Sequence, residues 1–440
     1  LFTLRTVPFR SPVFRTLTTL APNVNRTNTQ STINWDNFLS VLAKKKPEQP
    51  PRQIEKQNTN QQNLEFYPLQ TQTTTGSGNT FRVISYNILA ETLALRHHML
   101  YEHLVPEELT WDNRMKQLVP QLQQLNSDFY CLQEVDNFDL LERELSSSGY
   151  QGNFKKRTSN KNQDGCAIFW KSDRFTQIDT KPIEFNPTGD EGKGFDNVAL
   201  CTFFQANEQP NQIVCLISSH LLFNPQRGDL KLGQAQFMLS QAQKHMENVK
   251  TQFPDATISL VIAGDMNSAP YSGVWEFFKK GALSLDVTDL PSWRSLISGQ
   301  KISKRRVPPN IALDKCIDGL SELDSFSRQG KLSFQHNFSL SSAYENYSDV
   351  NELLYNQKIE NPPSPLFPND IYGEPRVTAM TNGSNSAPDA IWFTQNSLQL
   401  KALLQLPQQN QLISSPACLP SAVHPSDHFI LGAEFLLKQQ

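Results

Sequence analysis

The stretch Ile258-Ser259-Leu260-Val261-Ile262-Ala263-Gly264-Asp265-Met266-Asn267 decides the fold, because a strand-length apolar run meets two polar residues at its end. Its Val, Ile and Leu content favours a buried β-strand over a helix segment of equal length. Asp265 and Asn267 suit a tight turn, since both residue types bond their own backbone. An unpaired carboxylate at the end of a core strand is costly, so Asp265 also predicts a shared partner, such as a metal ion or another polar side chain.

Seven other apolar runs have strand length and are bounded by polar or turn residues. They are Phe81–Leu89, Phe129–Val135, Gly165–Trp170, Val198–Phe204, Ile213–Phe223, Ala390–Thr394 and His428–Leu437. Polar side chains end several of these runs or lie beside them: Asn87, Glu134, His220, Asp389, Asp427 and His428. Taken singly, each is as simply explained as a turn residue, a surface residue or a core histidine with satisfied hydrogen bonds. If the strands are neighbours in a sheet, however, their ends converge on one pocket.

Helical spacing appears between these runs. Residues Trp111–Leu125 place Met115, Leu118, Leu122 and Leu125 on one stripe, which predicts an amphipathic helix. Two more helices are expected over Asp229–Val249 and Tyr271–Lys280. Strands that alternate with helices and long loops indicate an α/β fold in which helices cover the sheets.

Composition excludes several classes of protein. The 440 residues contain no run of about 18 apolar residues, so we expect no transmembrane helix and no membrane partner. Collagen-like, coiled-coil and disulfide-scaffold compositions do not fit either. The six cysteines form no Cys-x-x-Cys pair, and Cys131, Cys166, Cys201 and Cys215 lie inside apolar runs. Buried reduced thiols pack as small hydrophobes, so we expect a reducing compartment.

The head of the chain differs from the rest. Residues 1–34 contain four arginines, many Ser and Thr residues and no acid. This composition is typical of a mitochondrial transit peptide, although three prolines weaken an amphipathic helix; the alternatives are a disordered basic tail and a cytoplasmic protein. Residues 35–79 predict a disordered polar linker, so the folded body should span residues 80–440. The whole chain has a net charge of −3, but its first 80 residues carry an excess of basic residues, so the body is more acidic than the total suggests.

The order of the polar motifs is more specific than any one of them. Asn87, Glu134, His220, Asp265-x-Asn267, Asp389 and Asp427-His428 each lie at an apolar strand end. This series resembles the endonuclease/exonuclease/phosphatase superfamily over residues 80–437. The resemblance implies a DNase-I-like four-layer α/β sandwich, in which two packed mixed β-sheets are flanked by helices.

The stretch around His220 narrows the resemblance to one branch. His220-Leu221-Leu222-Phe223-Asn224-Pro225, which leads into Gly228-Asp229-Leu230-Lys231, is similar to the carbon-catabolite-repressor-type poly(A) nucleases and their Angel and nocturnin relatives; residues 224–232 are most similar to Angel proteins. Two positions depart from the pattern. Ala390 stands where the family usually has Tyr, and Val377 stands where the poly(A) nucleases have an aromatic residue that stacks on the terminal base. Such stacking is worth about 1–3 kcal/mol per base, so adenine preference is in doubt.

The resemblance also implies roles for the site residues. Glu134 would be the main ligand of Mg²⁺ or Mn²⁺, helped by Asn87 and Asp427, because hard cations prefer oxygen ligands. Asp265 and Asn267 would hold a second ion, or the attacking water and the phosphate. His428 would act as general base or phosphate contact, with Asp389 fixing its tautomer, and His220 would donate to the phosphate. The expected substrate-binding residues are Asn224, Arg227 and Lys231.

The leading hypothesis is therefore a Mg²⁺-dependent phosphodiesterase that acts on RNA as a 3′–5′ exoribonuclease. The alternatives are an Angel-like RNA 2′,3′-cyclic phosphatase, a nocturnin-like phosphatase that removes the 2′-phosphate of a dinucleotide, and a non-catalytic RNA-binding scaffold. The scaffold is disfavoured because every expected acidic, amide and imidazole position is filled. We further expect a monomer, and a long insertion over residues 285–376 that shapes the substrate groove. The cluster Lys155-Lys156-Arg157 either follows a nucleic-acid backbone or is a set of solvated loop charges.

Overall fold

The computed structural model describes residues 64–69, 80–185, 196–224, 227–270, 272–286, 331–345, 347, 373–375, 377–381, 384–407, 418–421 and 423–438. The predicted targeting peptide lies outside these residues, as do most of the predicted linker and most of the predicted insertion. The division into targeting peptide, linker and catalytic body therefore stays a prediction.

Seventeen strands and five α-helices lie in this part of the chain. The strands are β1 (Phe66–Pro68), β2 (Thr80–Asn87), β3 (Phe129–Val135), β4 (Tyr150–Lys156), β5 (Gly165–Lys171), β6 (Phe175–Glu184), β7 (Val198–Ala206), β8 (Gln209–His220), β9 (Thr257–Asp265), β10 (Ala282–Asp286), β11 (Lys331–Gln335), β12 (Leu340–Ser342), β13 (Ala379–Thr381), β14 (Ser384–Ser386), β15 (Asp389–Thr394), β16 (Leu398–Leu404) and β17 (Leu431–Leu437). The helices are α1 (Glu91–Arg96), α2 (Trp111–Leu125), α3 (Phe138–Ser146), α4 (Gly228–Gln252) and α5 (Gly273–Lys280).

Thirteen of these strands form two mixed sheets, which position the site and are covered by helices. The first sheet has the order β1-β16-β17-β2-β3-β5-β4, and the second has the order β12-β15-β9-β8-β7-β6. Each contains one parallel pair, β2–β3 in the first and β8–β9 in the second, among antiparallel neighbours. The strands β10 and β11 form a separate ribbon, as do β13 and β14.

The core consists of three apolar layers that separate the sheets and helices. Between the sheets, side chains such as Val83 and Cys131 of the first pack with Leu216 and Val261 of the second. Because successive strand residues point to opposite faces, their neighbours Ile84 and Leu132 pack outward against helices α2 and α3. A third layer joins the second sheet to α4 and α5. This helix–sheet–sheet–helix order confirms the predicted four-layer α/β sandwich.

Most predicted elements lie where the patterns indicated. Helix α2 begins and ends at the predicted residues Trp111 and Leu125, and helices α4 and α5 differ from the prediction by a few residues. The last strand begins at Leu431, three residues after the predicted start, and His428 instead forms an isolated bridge with Ala379.

One strand of each mixed sheet lies inside a segment predicted as linker or insertion. Within the predicted linker, strand β1 pairs with β16 through Phe66 and Leu404, so this piece belongs to the first sheet. Within the predicted insertion, strand β12 pairs with β15 through Ser342 and Trp392 and forms an edge of the second sheet. Both strands are only three residues long, which is too short for a period-two pattern to stand out in the sequence.

The structure tests the predictions of free buried cysteines and of no transmembrane helix over the described residues. All five cysteines in these residues are free, and Cys131, Cys166, Cys201 and Cys215 are buried as expected. None of the helices in the described ranges is both long and apolar enough to cross a membrane.

Candidate active site

The polar strand ends converge because of the sheet registers. In the parallel pair β8–β9, His220 lies opposite Asp265, and in the antiparallel pair β9–β15, Asp265 lies opposite Asp389. In the first sheet, the parallel strands β2 and β3 bring Asn87 beside Gln133, next to Glu134. Each residue thus reaches the same end of its sheet, and the two sheets face each other.

Gly264 allows strands β8 and β9 to approach closely at this end. A Cβ atom at Gly264 would lie 1.9 Å from the backbone oxygen of Ser219, which no side chain can accommodate. Immediately after it, Asp265 Oδ1 accepts a 2.8 Å hydrogen bond from the backbone N–H of Asn267, whose φ is 48°. The tight turn and the site are therefore the same structure, and the turn aims the other oxygen of Asp265 into the pocket.

Asn87 joins the two sheets at the site. Its Nδ2 donates to Glu134 Oε1 at 3.0 Å and to Asp265 Oδ2 at 3.1 Å, while its Oδ1 accepts from the backbone N–H of Leu89 at 3.1 Å. The side chain is fully buried. Asn87 thus holds two carboxylates together, and it would offer its oxygen to a metal only after the amide turns over.

Glu134 lies at a backbone irregularity. The register of β3 with β5 shifts between Leu132 and Val135, and Glu134 has a φ of 56°. Its Oε2 accepts from the backbone N–H of Ala90 at 3.0 Å. Burial, together with the nearby carboxylates of Asp164 and Asp427, raises the pKa of Glu134 to about 7. This carboxylate lacks a cationic partner strong enough to offset its burial.

His428 and Asp389 form a hydrogen-bonded pair. His428 Nδ1 lies 2.9 Å from Asp389 Oδ2, and this oxygen also accepts from Thr378 Oγ1 at 2.6 Å. The Nε2 atom faces Asp265 Oδ2 at 3.9 Å. Burial lowers the pKa of His428, but the charges of Asp389, Asp427 and Asp265 outweigh it and raise that pKa well above its usual value. The predicted Asp389–His428 pairing is present, with Nε2 directed into the pocket.

His220 completes the group from the second sheet. Its Nε2 lies 3.5 Å from Asp265 Oδ2, and its Nδ1 lies 3.1 Å from Arg157 Nη2. Burial, helped by the charge of Arg157, lowers the pKa of His220 to about 3, against the opposing effect of Asp265. His220 is therefore a neutral imidazole.

Arg157 is a residue of the site that sequence reasoning missed. The sequence places it only in a cluster of basic residues, yet it is buried and pairs with the buried Asp164 at 2.7 Å. Lys156 bonds to loop carbonyls at 3.0 and 3.1 Å, and Lys155 pairs with Glu184. The signal available in the sequence was the acid directly before Gly165, since an acid beside an apolar run needs a partner.

Asp427 is held by another residue that the sequence did not reveal. Tyr101 Oη donates to Asp427 Oδ2 at 2.8 Å, and Ser426 Oγ donates to the backbone oxygen of Asn87 at 2.6 Å. Asp427 lies close enough to Glu134 to raise its pKa. The loop that carries Asp427 and His428 is thus tied directly to the end of strand β2.

The three expected substrate-binding residues differ in exposure. Asn224 is exposed, Arg227 is buried with 4% of its surface accessible, and Lys231 is fully buried. Lys231 Nζ donates to the backbone oxygen of Asn267 at 2.5 Å, and burial lowers the pKa of Lys231 to about 7. In this arrangement the Lys231 amine supports the Asp265–Asn267 turn, and its expected contact with substrate stays a prediction.

The donor set fits a hard divalent cation. Asp265, Asp389 and His428 present atoms within 4.8 Å of one another, and Glu134 is linked to Asp265 through Asn87. Since Asp389 is already engaged by His428 and Thr378, we regard Glu134 and Asp265 as the better ligands. Clustered carboxylates whose burial raises a pKa are what a bound cation would stabilise.

Comparisons with known proteins identify the family of this chain. A family model described as the endonuclease/exonuclease/phosphatase family matches residues 84–300. Carbon catabolite repressor protein 4 homolog 5 of Arabidopsis thaliana is 30% identical over 370 residues, which cover 80% of this chain and 76% of the relative. The chain belongs to the endonuclease/exonuclease/phosphatase family. It is therefore a hydrolase of this family, whose enzymes are generally dependent on divalent metals.

Angel proteins are among the most similar relatives of this family member. Protein angel homolog 2 of Homo sapiens is 29% identical over 408 residues, covering 81% of this chain and 69% of the relative. A crystal structure of ANGEL2, described as a 2′,3′-cyclic phosphatase in complex with adenosine-2′,3′-vanadate, is 29% identical with a TM-score of 0.64. It covers 86% of this chain and 99% of that chain. The predicted resemblance to the Angel branch is thereby confirmed.

Proposed function

We propose that this protein is a Mg²⁺- or Mn²⁺-dependent phosphodiesterase that acts on the 3′ ends of RNA, and that it removes a terminal 2′,3′-cyclic phosphate. The observation that carries the proposal is the similarity to ANGEL2 over nearly the whole of that 2′,3′-cyclic phosphatase. The sequence alone favoured stepwise removal of nucleotides over this reaction. The likeness to ANGEL2 and the environment of Val377 support placing the cyclic phosphatase first.

Val377 supports the change of order. An aromatic residue that stacks on a base must present its face to the substrate. Val377 is partly buried and packs against the core between the two sheets, directly before the Thr378 that supports Asp389. The position before Thr378 thus contributes to packing rather than to a base-stacking surface, which disfavours strict recognition of a terminal adenine.

The metal ion would be held by Glu134 and Asp265, with Asn87 and Asp427 around them. When bound, it supplies positive charge that neutralises the phosphate and favours ionisation of water. The ligands fit because hard divalent cations prefer carboxylate oxygens.

His428 and His220 would act on the phosphate from two sides. The pairing with Asp389 fixes the orientation of the His428 ring and leaves Nε2 facing the pocket. Its raised pKa favours an imidazolium that binds the phosphate and donates a proton to the leaving oxygen over the general base expected from the sequence. His220 would donate a neutral hydrogen bond, which strengthens as negative charge develops on the phosphate oxygens.

A 3′–5′ exoribonuclease is the second candidate. The similarity to the carbon catabolite repressor protein 4 homologue favours it, because the motifs of this sequence also resemble those of the poly(A) nucleases of that type. The exoribonuclease breaks one phosphodiester bond with one water for each nucleotide released, whereas removal of the cyclic phosphate breaks two P–O ester bonds in turn, each with one water. Both reactions act at the RNA 3′ end and would use the same residues. The two candidates therefore differ in substrate and product, not in site chemistry.

One experiment separates the candidates. The protein is incubated with Mg²⁺ and with 5′-labelled oligo(A), a mixed-sequence RNA, or the mixed-sequence RNA ending in a 2′,3′-cyclic phosphate. The proposal predicts that only the terminal phosphate of the third substrate is lost. A ladder of shortened products would support the exoribonuclease instead, and inertness of all three RNAs with Mg²⁺ and with Mn²⁺ would refute both candidates.

The location of the protein is a separate proposal. The Arg-rich, acid-free composition of residues 1–34 supports import into mitochondria. Fusing these residues to a fluorescent protein tests the proposal directly. Mitochondrial fluorescence is expected, and a diffuse cytoplasmic signal would contradict it.

A further inference from the structure

Arg157 lies beneath the active site on the hairpin that joins β4 to β5. Its Nε donates to Asp164 Oδ2 at 2.7 Å, and its Nη1 lies 3.6 Å from Asp196 Oδ1. The backbone N–H of Arg157 donates to the carbonyl of Asp164 at 3.0 Å and closes the loop. With 9% of its surface accessible, the guanidinium is fixed from several sides.

The remaining nitrogen of this guanidinium faces a histidine of the site. Arg157 Nη2 lies 3.1 Å from His220 Nδ1. An arginine side chain has five N–H donors and no acceptor, and it keeps its proton in proteins. Nδ1 of His220 must therefore be the acceptor in this hydrogen bond. A neutral imidazole whose Nδ1 accepts carries its proton on Nε2.

The Nε2 atom is the one that faces the catalytic carboxylates. It lies 3.5 Å from Asp265 Oδ2, on the pocket side of the ring. The histidine is also held through its backbone, since Asn197 Nδ2 donates to the His220 carbonyl at 3.0 Å. Ring position, backbone position and tautomer are thus all determined by buried neighbours.

Asp164 and Asp196 explain how the charged guanidinium of Arg157 can be buried next to the site. Burial lowers the pKa of Arg157, but the pairing with Asp164 and the charge of Asp196 outweigh it and raise that pKa above its usual value. Asp196 itself accepts hydrogen bonds from Ser159 and Asn162 of the same loop. A donor that can never accept is therefore kept in place at His220 Nδ1.

We propose that Arg157 is a positioning residue that fixes His220 as the Nε2–H tautomer, so that His220 donates a hydrogen bond to a phosphate oxygen of the substrate in the transition state. The inference rests on the proposed phosphodiesterase function. It also assigns His220 the role of donor and excludes it as a proton acceptor, because Nδ1 is occupied and Nε2 is already protonated. Arg157 itself does not contact the substrate.

The first test reads the tautomer without requiring activity. Protein labelled with ¹⁵N-histidine gives two-bond ¹H–¹⁵N correlations in which protonated and unprotonated ring nitrogens differ, and the His220 signals are those missing in His220→Ala. The proposal predicts an unprotonated Nδ1 and a protonated Nε2. A protonated Nδ1 in the wild-type protein would overturn it.

The second test uses the rate of hydrolysis. Removing Arg157 alone would leave Asp164 charged and buried, so Arg157→Met is combined with Asp164→Asn. The double variant is expected to lose about 10- to 100-fold in kcat, the size of loss seen when a partner that orients a metal-ligating histidine is removed. KM should change little, because the interaction is made in the transition state. Arg157→Lys, which keeps a cationic donor without an acceptor, should recover part of the rate.

His220→Ala shows whether Arg157 acts through the histidine. If it does, adding Arg157→Met and Asp164→Asn to His220→Ala causes little further loss of kcat. A matched control is Arg174→Met with Asp128→Asn, which removes a similar arginine–aspartate pair from the opposite end of β3. The control should lose stability and keep the wild-type kcat.

Three kinetic outcomes would overturn the inference: an unchanged kcat in the Arg157 variant, losses that multiply in the His220→Ala background, or a raised KM at constant kcat. Failure of the proposed function looks different. In that case the wild-type protein hydrolyses none of the RNA substrates, while the tautomer measurement still reports on Arg157 and His220.

Discussion

Replacing Glu134 by Gln should stabilise the metal-free protein and abolish its response to Mg²⁺. Folding raises the pKa of Glu134 from 4.5 to about 7. That rise means that ionised Glu134 lowers the unfolding free energy by about 3 kcal/mol at pH 7 and above. It is an upper value, because the side chain is partly exposed and solvent screens its charge. The variant removes the charge that causes this cost and also removes a metal ligand.

The pH dependence follows from the direction of the shift. Below pH 4.5 the carboxyl is protonated in both the folded and the unfolded protein, so Glu134 costs nothing. Between pH 4.5 and about 7 the unfolded chain ionises first, and the wild-type protein loses stability as pH rises. The unfolding free energy of Glu134→Gln should therefore exceed that of the wild type by almost nothing at pH 4.5 and by the largest amount above pH 7.

Urea unfolding followed by tryptophan fluorescence measures these differences at pH 4.5 and at pH 8, with EDTA or with Mg²⁺. Wild-type protein should gain about 2.7 kcal/mol when Mg²⁺ exceeds its dissociation constant 100-fold. Glu134→Gln should be more stable in EDTA at pH 8, gain nothing from Mg²⁺ and lose hydrolysis. A variant that is no more stable in EDTA, and that responds to Mg²⁺ as the wild type does, would refute the reasoning.

Glu374 provides the matched control. It is also buried with a pKa raised to about 7, but its hydrogen-bond partners are Trp275, with 3.3 Å between Oε1 and the indole Nε1, and Ser342, neither of which belongs to the candidate site. Glu374→Gln should show the same sign of stabilisation at pH 8. Its Mg²⁺ response and its hydrolysis rate should remain those of the wild type.

Three further predictions test individual residues. His428→Ala should lower kcat far more than it weakens RNA binding measured by fluorescence anisotropy; equal losses would mean that His428 only binds. Lys231→Met leaves the Asn267 carbonyl without its donor, but it also removes a buried amine whose pKa burial lowers to about 7. The urea-unfolding free energy of the variant relative to wild type should therefore fall as pH rises from 7 to 10.5, where wild-type protein gains stability. RNA affinity should not change in that variant if the amine only supports the turn, and a large loss of affinity would support Lys231 as a phosphate contact. Gly264→Ala forces a Cβ against the Ser219 carbonyl and should reduce both thermal stability and kcat, whereas an unchanged melting temperature would contradict the close approach.

The sequence predicted those parts of the fold that carry a long, regular pattern. Helix α2 could be placed to the residue because Met115, Leu118 and Leu122 mark one face over fifteen residues. Strands β2, β3, β5 and β9 were found because their apolar runs are buried on both faces. Strand β4 was missed, since its burial is partial along most of its length and no alternation stands out.

The site residues were predictable where they end an apolar run, as Asn87, Asp265 and His220 do. Their partners were not predictable, because the partners come from loops. Arg157 lies in a hairpin loop whose charge pattern resembles a solvated surface, and only the three-dimensional structure brings its guanidinium to His220. Tyr101 likewise lies 326 residues before Asp427, its hydrogen-bond partner. Sequence reasoning thus found the residues that strands position and missed those that hold them in place.

The hydrolysis of RNA with a 2′,3′-cyclic phosphate end tests the central claim most directly. The release of terminal phosphate is followed for wild-type protein, Glu134→Gln and Glu374→Gln, each with Mg²⁺ and with EDTA. We predict release by the wild type and by Glu374→Gln in Mg²⁺ only, and none by Glu134→Gln in either condition. Release that persists in EDTA, or that survives in Glu134→Gln, would contradict a metal-dependent phosphodiesterase site at these strand ends.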